Sequence, residues 1–177
     1  MENEYTVKLI SLDTIPLQKV EWLVYPFIPC GKITIIQGDP GEGKTTFILQ
    51  LIARLTTGRP AWDGMPPMTP GNVIYQTAED GLSDTIKPRL VVAGAACDKV
   101  LVIDDSDRAL TLEDDRLEQA IVQTHARLVV LDPIQGYIGA GVDMHRANEI
   151  RPLMHRVGVL AEKHHCAIVL IGHMNKN

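Results

Sequence analysis

The sequence predicts an α/β domain built on a mostly parallel sheet with helices on both faces. Three observations carry this. The apolar runs "KITIIQ", "RLVVLD" and "CAIVLIG" are near-continuous rather than alternating, as in strands covered on both sides. Segments with helical spacing separate these runs, so strand and helix alternate along the chain. The stretch "GDPGEGKTT", residues 38–46, follows one strand and opens one helix. In an open α/β sheet that junction faces the crevice where ligands bind.

Each element has its own signal. Residues 32–37 form a β-branched run that ends in the glycine loop. The next segment, "TTFILQLIARLTTG", reads as a helix with Phe47, Leu51, Ala53 and Leu55 on its apolar side and Gly58 as its stop. Residues 59–71 are dense in proline and glycine and read as loop. Residues 72–77 are the second strand. Residues 82–95 read as helix, with Pro88 near the start or at a kink. Residues 99–104 are the third strand. Residues 111–124 read as a helix capped by Thr111, with Asp114 three residues on. Residues 127–132 are the fourth strand, 147–165 a helix that carries Pro152 in its first turns, and 166–172 the fifth strand. The simplest division is an irregular N-terminal lead, residues 1–30, and one core, residues 31–177.

Composition narrows the function classes. Hydrophobic residues at 45% suffice for a packed core. A net charge of −5 argues against a basic footprint over the whole surface, and leaves room for a local strip or a channel shared by several subunits. Cys30, Cys97 and Cys166 are odd in number and contain no CxxC pair, as expected of reduced thiols in a cytoplasmic protein. His164, His165 and Cys166 are consecutive rather than spaced as metal ligands, and read as a helix end leading into a strand. The start, "MENEYTVKLI", has acids where a secretory signal has bases, and the apolar runs are too short to span a membrane.

The glycine loop fits G-x-x-x-x-G-K-[ST] through Gly38, Gly43, Lys44 and Thr45. Backbone N–H groups of such a loop, and of the helix it opens, point at bound phosphates. The candidate nucleotide-binding set is therefore Gly38, Asp39, Pro40, Gly41, Glu42, Gly43, Lys44, Thr45 and Thr46. Lys44 places a charge on the outer phosphates and the Thr45 hydroxyl binds Mg²⁺. Asp132 ends a buried strand, where an acid is costly unless something positive pairs with it; it is the second expected Mg²⁺ holder. Hydrolysis also needs a carboxylate to orient water. "QTAEDG" supplies both Glu79 and Asp80, and position does not separate them. His173, in "IGHMNK", follows the fifth strand into the same crevice, where it is able to donate to a γ-phosphate.

These elements, in this order, resemble the RecA-like P-loop ATPases, and within them the RepA-type branch of hexameric plasmid and phage replicative helicases. The similarity runs through "WLVYPFIPCGKITIIQGDPGEGKTT", "VIYQTAEDG", "RLVVLDPIQGYIG" and "AIVLIGHMNK". It implies a three-layer P-loop NTPase fold with strand order 3-2-4-5-1, so that the His173 strand lies between those of the phosphate loop and Asp132. It implies Lys44 and Thr45 as the Walker A pair, Glu79 rather than Asp80 as the catalytic glutamate, Asp132 as Walker B and His173 as the γ-phosphate sensor. It matches Arg89 to an arginine that lies against the nucleotide base. ATP and Mg²⁺ are the expected cofactors. The resemblance also implies a homo-oligomeric ring, a hexamer in this branch, with a cationic finger supplied by the neighbour. Relatives carry that finger beyond the H-x-x-K element, whereas this sequence stops at Asn177, so the core is expected to be C-terminally truncated. The loss would leave strand 32–37 as a sheet edge unless the N-terminal lead covers it.

The resemblance places single-stranded DNA at the loop 134–148, "IQGYIGAGVDMHRAN", read as glycine-rich and mobile. Tyr137 is the candidate for stacking on a base, and His145, Arg146 and Lys176 the candidates for phosphate. Three readings follow: a motor or recombination-like ATPase on DNA, a RecA-like switch or scaffold without DNA, and a small-molecule kinase. The kinase reading leaves the AED and H-x-x-K elements without a role.

Overall fold

The computed structural model describes residues 7–142 and 146–173. Its centre is a five-stranded parallel sheet of β3 (Ile33–Gly38), β7 (Ala167–His173), β6 (Leu128–Asp132), β4 (Val73–Thr77) and β5 (Val100–Leu101), in that spatial order. Counted as the five expected strands, this is the order 3-2-4-5-1. The β7 strand lies between the strand that carries the phosphate loop and the strand that ends in Asp132.

Alternating side chains divide the core in two. Val73, Tyr75, Leu128, Val130, Val169 and Ile171 face one side, against Ile48, Ile52 and Leu55 of α1 (Lys44–Thr57) and Leu90 of α2 (Lys87–Val92). Ile74, Val129, Leu131, Ile168 and Leu170 face the other, against Leu117 and Ile121 of α3 (Asp115–Thr124) and Leu153, Val157 and Ala161 of α4 (Ala147–His164). Burial on both faces is why these strands are apolar throughout.

Several elements differ from the sequence expectation for identifiable reasons. Phe47 is 48% exposed, because the buried face of α1 runs through Ile48, Ile52 and Leu55 and Phe47 lies off it. Gly58 does end α1, at φ 75, a backbone conformation that glycine adopts without strain. Residues 82–95 divide into a π-type turn, Leu82–Ile86, and α2, with Pro88 in the first turn of α2, where no backbone donor is needed. The third strand is only Val100–Leu101. Beyond it the buried Gln76 side chain replaces the ladder, accepting from Ile103 N–H at 2.6 Å and donating to Ile103 C=O at 3.2 Å.

The N-terminal lead contains a small antiparallel ribbon, β1 (Trp22–Val24) and β2 (Ile28–Pro29). Leu23, Val24, Ile28 and Cys30 insert into the core on the α1 side. Among the described residues β3 pairs with β7 alone, and its Ile35 is 57% exposed, so it is an edge as expected.

The α3 helix begins at Asp115, with Asp114 rather than Thr111 as its cap. Asp114 accepts from Arg116 N–H at 2.9 Å and from the Arg116 guanidinium at 2.8 Å, with its side chain only 8% exposed. These bonds, chiefly those of the Arg116 side chain, hold its carboxyl at about 2. A folded value below the ordinary one gives stability that is complete above about pH 4 and lost as pH falls toward 2. Asp114→Ala is expected to cost about 0.5–2 kcal/mol at neutral pH. Denaturant titrations should show the variant and the parent converging near pH 2.

Candidate functional site

The C-terminal ends of β3, β4, β6 and β7 open on one crevice, as a parallel sheet dictates. The loop after β3 carries Gly41 at φ 85 and Gly43 at φ 83, and a Cβ at either would meet nothing within 4 Å. Gly43 is the N-cap of α1, and no side chain caps that end. The first N–H groups of α1 are therefore left for an anion. Lys44 Nζ donates to the Gly38 and Asp39 carbonyls at 2.9 and 2.7 Å and braces the loop from inside. Glu42 folds its carboxylate over the loop and accepts from Asp39 N–H at 2.8 Å.

Thr45 and Asp132 meet across the crevice. Thr45 Oγ1 donates to Asp132 Oδ2 at 2.8 Å, joining the first turn of α1 to the end of β6. Asp132 is 5% exposed and also accepts from Tyr75 Oη at 3.1 Å. A hydroxyl and a buried carboxylate are hard oxygen donors of the kind that suits Mg²⁺. Tyr75 escapes the sequence reading, although a tyrosine in a buried strand usually finds a partner for its hydroxyl. Burial, and then the neighbouring Asp132, push its hydroxyl pKa upward. Tyr75→Phe is expected to lower stability by about 1.5–3 kcal/mol, the scale for a hydrogen bond to a charged group. Thermal unfolding of the variant checks this.

Glu79 and His173 form the other half. The Glu79 carboxylate lies 3.4 Å from His173 Nε2, so the acid after β4 and the histidine ending β7 share one side of the crevice. His173 Nδ1 is buried with no hydrogen-bond partner among the described residues, and its backbone carbonyl accepts from Gln135 Nε2 at 3.3 Å. The Asp80 backbone N–H donates to Thr77 Oγ1 at 3.0 Å, which pins the turn after β4.

Arg89, exposed on α2, lines a cleft of about 400 Å³ together with Thr46, Leu49, Gln50, Pro88 and Val92. It thus stands beside the helix that the phosphate loop opens.

The segment after β6 departs from expectation. Residues Ile134–Tyr137 form a tight 3-10 turn, and Ile134, Tyr137 and Ile138 pack into the α3/α4 side of the core. Tyr137 is 2% exposed and offers no face to a base, because its ring fills space between the turn and the sheet. Arg146 precedes α4 and pairs with Glu149 at 3.4 Å. His145 and Lys176 lie outside the described residues. No helix among the described residues is long and apolar enough to cross a membrane.

Comparison with known proteins agrees with this geometry. Residues 3–177 match the AAA domain family. The DNA repair protein RadA of Halalkalibacterium halodurans is 31% identical over 105 residues, 59% of this chain. The chain spans 19% of that relative's length. A phosphate loop at the edge of a five-stranded parallel sheet, helices on both faces and a match over nearly all its residues establish that the chain belongs to the AAA domain family and has the fold of the RecA-like P-loop ATPases.

Proposed function

We propose that the chain binds ATP with Mg²⁺ and hydrolyses it, and that turnover is coupled to single-stranded DNA, as in a plasmid- or phage-type replicative helicase or a repair or recombination ATPase. The observation that carries this reading is the meeting of Lys44, the Thr45–Asp132 pair and the Glu79–His173 pair in one crevice. The similarity to a protein named for DNA repair supports the DNA side of it.

The uncapped start of α1 and the Gly38–Thr46 loop would hold the phosphates, with Lys44 turning from the loop carbonyls to the outer ones. Thr45 and Asp132 would hold the metal ion, whose chemistry is to neutralise phosphate charge. Glu79 orients the attacking water and accepts its proton. His173 Nε2, now facing Glu79, donates instead to the γ-phosphate and reports its loss. Arg89 lies against the base. Subunits assemble as a ring, a hexamer in the helicase reading, with a neighbour's cation completing the site. DNA meets the face around 134–148 through Arg146, His145 and the backbone rather than through Tyr137, which is enclosed.

A second reading keeps every nucleotide contact and drops DNA: a switch or scaffold ATPase. The closed packing of Tyr137 favours it. Steady-state ATP hydrolysis by the full-length protein, with and without single-stranded DNA and with Lys44→Ala as background, separates the two. A clear rise with DNA is the expected result. A rate indifferent to DNA transfers the conclusion to the switch.

A further inference from the structure

Three side chains with donor atoms suited to a transition-metal cation meet at the other end of the sheet, where the strands begin. Glu21 and Cys30 bracket the β1–β2 ribbon, and Cys30 N–H donates to the Glu21 carbonyl at 2.9 Å. His165 ends α4 in the left-handed conformation, φ 50, just before β7. Its Nε2 lies 2.9 Å from Glu21 Oε2. The carboxylate oxygen, the thiol sulfur and the imidazole nitrogen all lie within 4.8 Å of one another. Cys30 is 8% exposed and forms the floor; Glu21 and His165 form a rim open to water.

We propose that Glu21, Cys30 and His165 bind a divalent cation of the zinc type, which clamps the N-terminal ribbon to the junction of α4 and β7. The donor set decides the metal. One sulfur, one nitrogen and one oxygen suit zinc, with bonds of about 2.0–2.3 Å, and disfavour magnesium, which wants oxygens only. Ligand atoms on a tetrahedron of that size lie roughly 3.3–3.8 Å apart. Glu21 Oε2 and His165 Nε2, at 2.9 Å, would part slightly to admit the ion, and both are exposed rim side chains able to adjust toward the Cys30 sulfur. Water takes the fourth position from the open side. One carboxylate and one thiolate balance the charge of the cation, and the Cys30 proton leaves to solvent on binding. Burial, and then the nearby Glu21 carboxylate, push the Cys30 thiol pKa up, and the Arg127 side chain opposes them without overcoming them, so it is the cation that would have to hold the thiolate. Without a metal, the Glu21–His165 pair is an exposed contact worth little.

The proposal does not depend on the nucleotide site, which holds no cysteine. Cobalt(II) added to the full chain in saturating magnesium and nucleotide is expected to give a thiolate-to-metal charge-transfer band and the visible bands of four-coordinate cobalt. Zinc should displace the cobalt at one equivalent, and magnesium should not. Cys30→Ser should abolish the band and Cys97→Ser should leave it. Because Cys30 is buried, the exposed variants Glu21→Gln and His165→Ala serve as second tests, each weakening cobalt binding by about tenfold or more. Zinc should raise the melting temperature of the parent and not that of His165→Ala. No thiolate band in the parent, a band that survives Cys30→Ser, or equal cobalt affinity in His165→Ala would each overturn the site.

Discussion

Glu79→Gln is expected to reduce ATP turnover by about 10²–10⁴-fold while nucleotide affinity stays close to that of the parent. The amide has the size of the carboxylate and keeps a polar contact with His173, so the fold and the phosphate loop are untouched. It cannot take a proton from water. Single-turnover hydrolysis alongside equilibrium binding of a labelled nucleotide separates the two effects. Lys44→Ala should behave differently and lose binding too, since in the proposed function its ammonium turns from the loop carbonyls to the phosphates. A Glu79→Gln chain that hydrolyses at the parent rate would move the water-activating role to Asp80, the neighbouring acid.

Gly136→Ala is expected to destabilise the fold by about 1–3 kcal/mol, the range for overpacking a closed site. A Cβ at position 136 would lie 2.3 Å from the Ala78 Cβ, far inside contact distance. Ala78 is fixed by its N–H, which donates to the Asp132 carbonyl at 3.0 Å, so relief has to come from backbone movement. The residue displaced next is Glu79. Hydrolysis should therefore fall together with melting temperature. The companion change Ala78→Gly removes the opposing methyl, and the double variant should recover most of both. A double variant no better than Gly136→Ala would show that the loss arises elsewhere.

What the sequence made legible was local. Each strand of the sheet is a run of apolar residues, and the phosphate loop sits where a strand hands over to a helix; both are readable within a dozen residues. Strand order is a long-range property and came through resemblance to the RecA-like ATPases rather than from any run of residues. The misses share a cause. Thr111 and Asp114 are both good caps, and what selects Asp114 is its set of bonds to the Arg116 backbone and guanidinium. Tyr137 reads as a surface aromatic in a glycine-rich loop, but Ile134 and Ile138 fold with it into the core. Tyr75 is an ordinary strand residue until Asp132 arrives beside it from another strand. His165 reads as a helix end, and is one; that it also faces Glu21 depends on the ribbon's position against α4.

The edge position of β3 has a consequence for motion. In a parallel edge strand alternate amides point away from the single neighbour, so releasing β3 breaks one ladder, whereas releasing β6 breaks two. Amide hydrogen exchange should accordingly be faster in β3 than in β6 or β7, marking it as a unit of lower local stability within the sheet. Its last residue, Gly38, is also the first of the phosphate-holding loop. A ligand gripping that loop stabilises only the closed form of the strand, and so protects amides it never touches. The empty protein and the nucleotide-bound protein should thus differ most in exchange along β3, with the ligand acting as a fastener for the margin of the sheet.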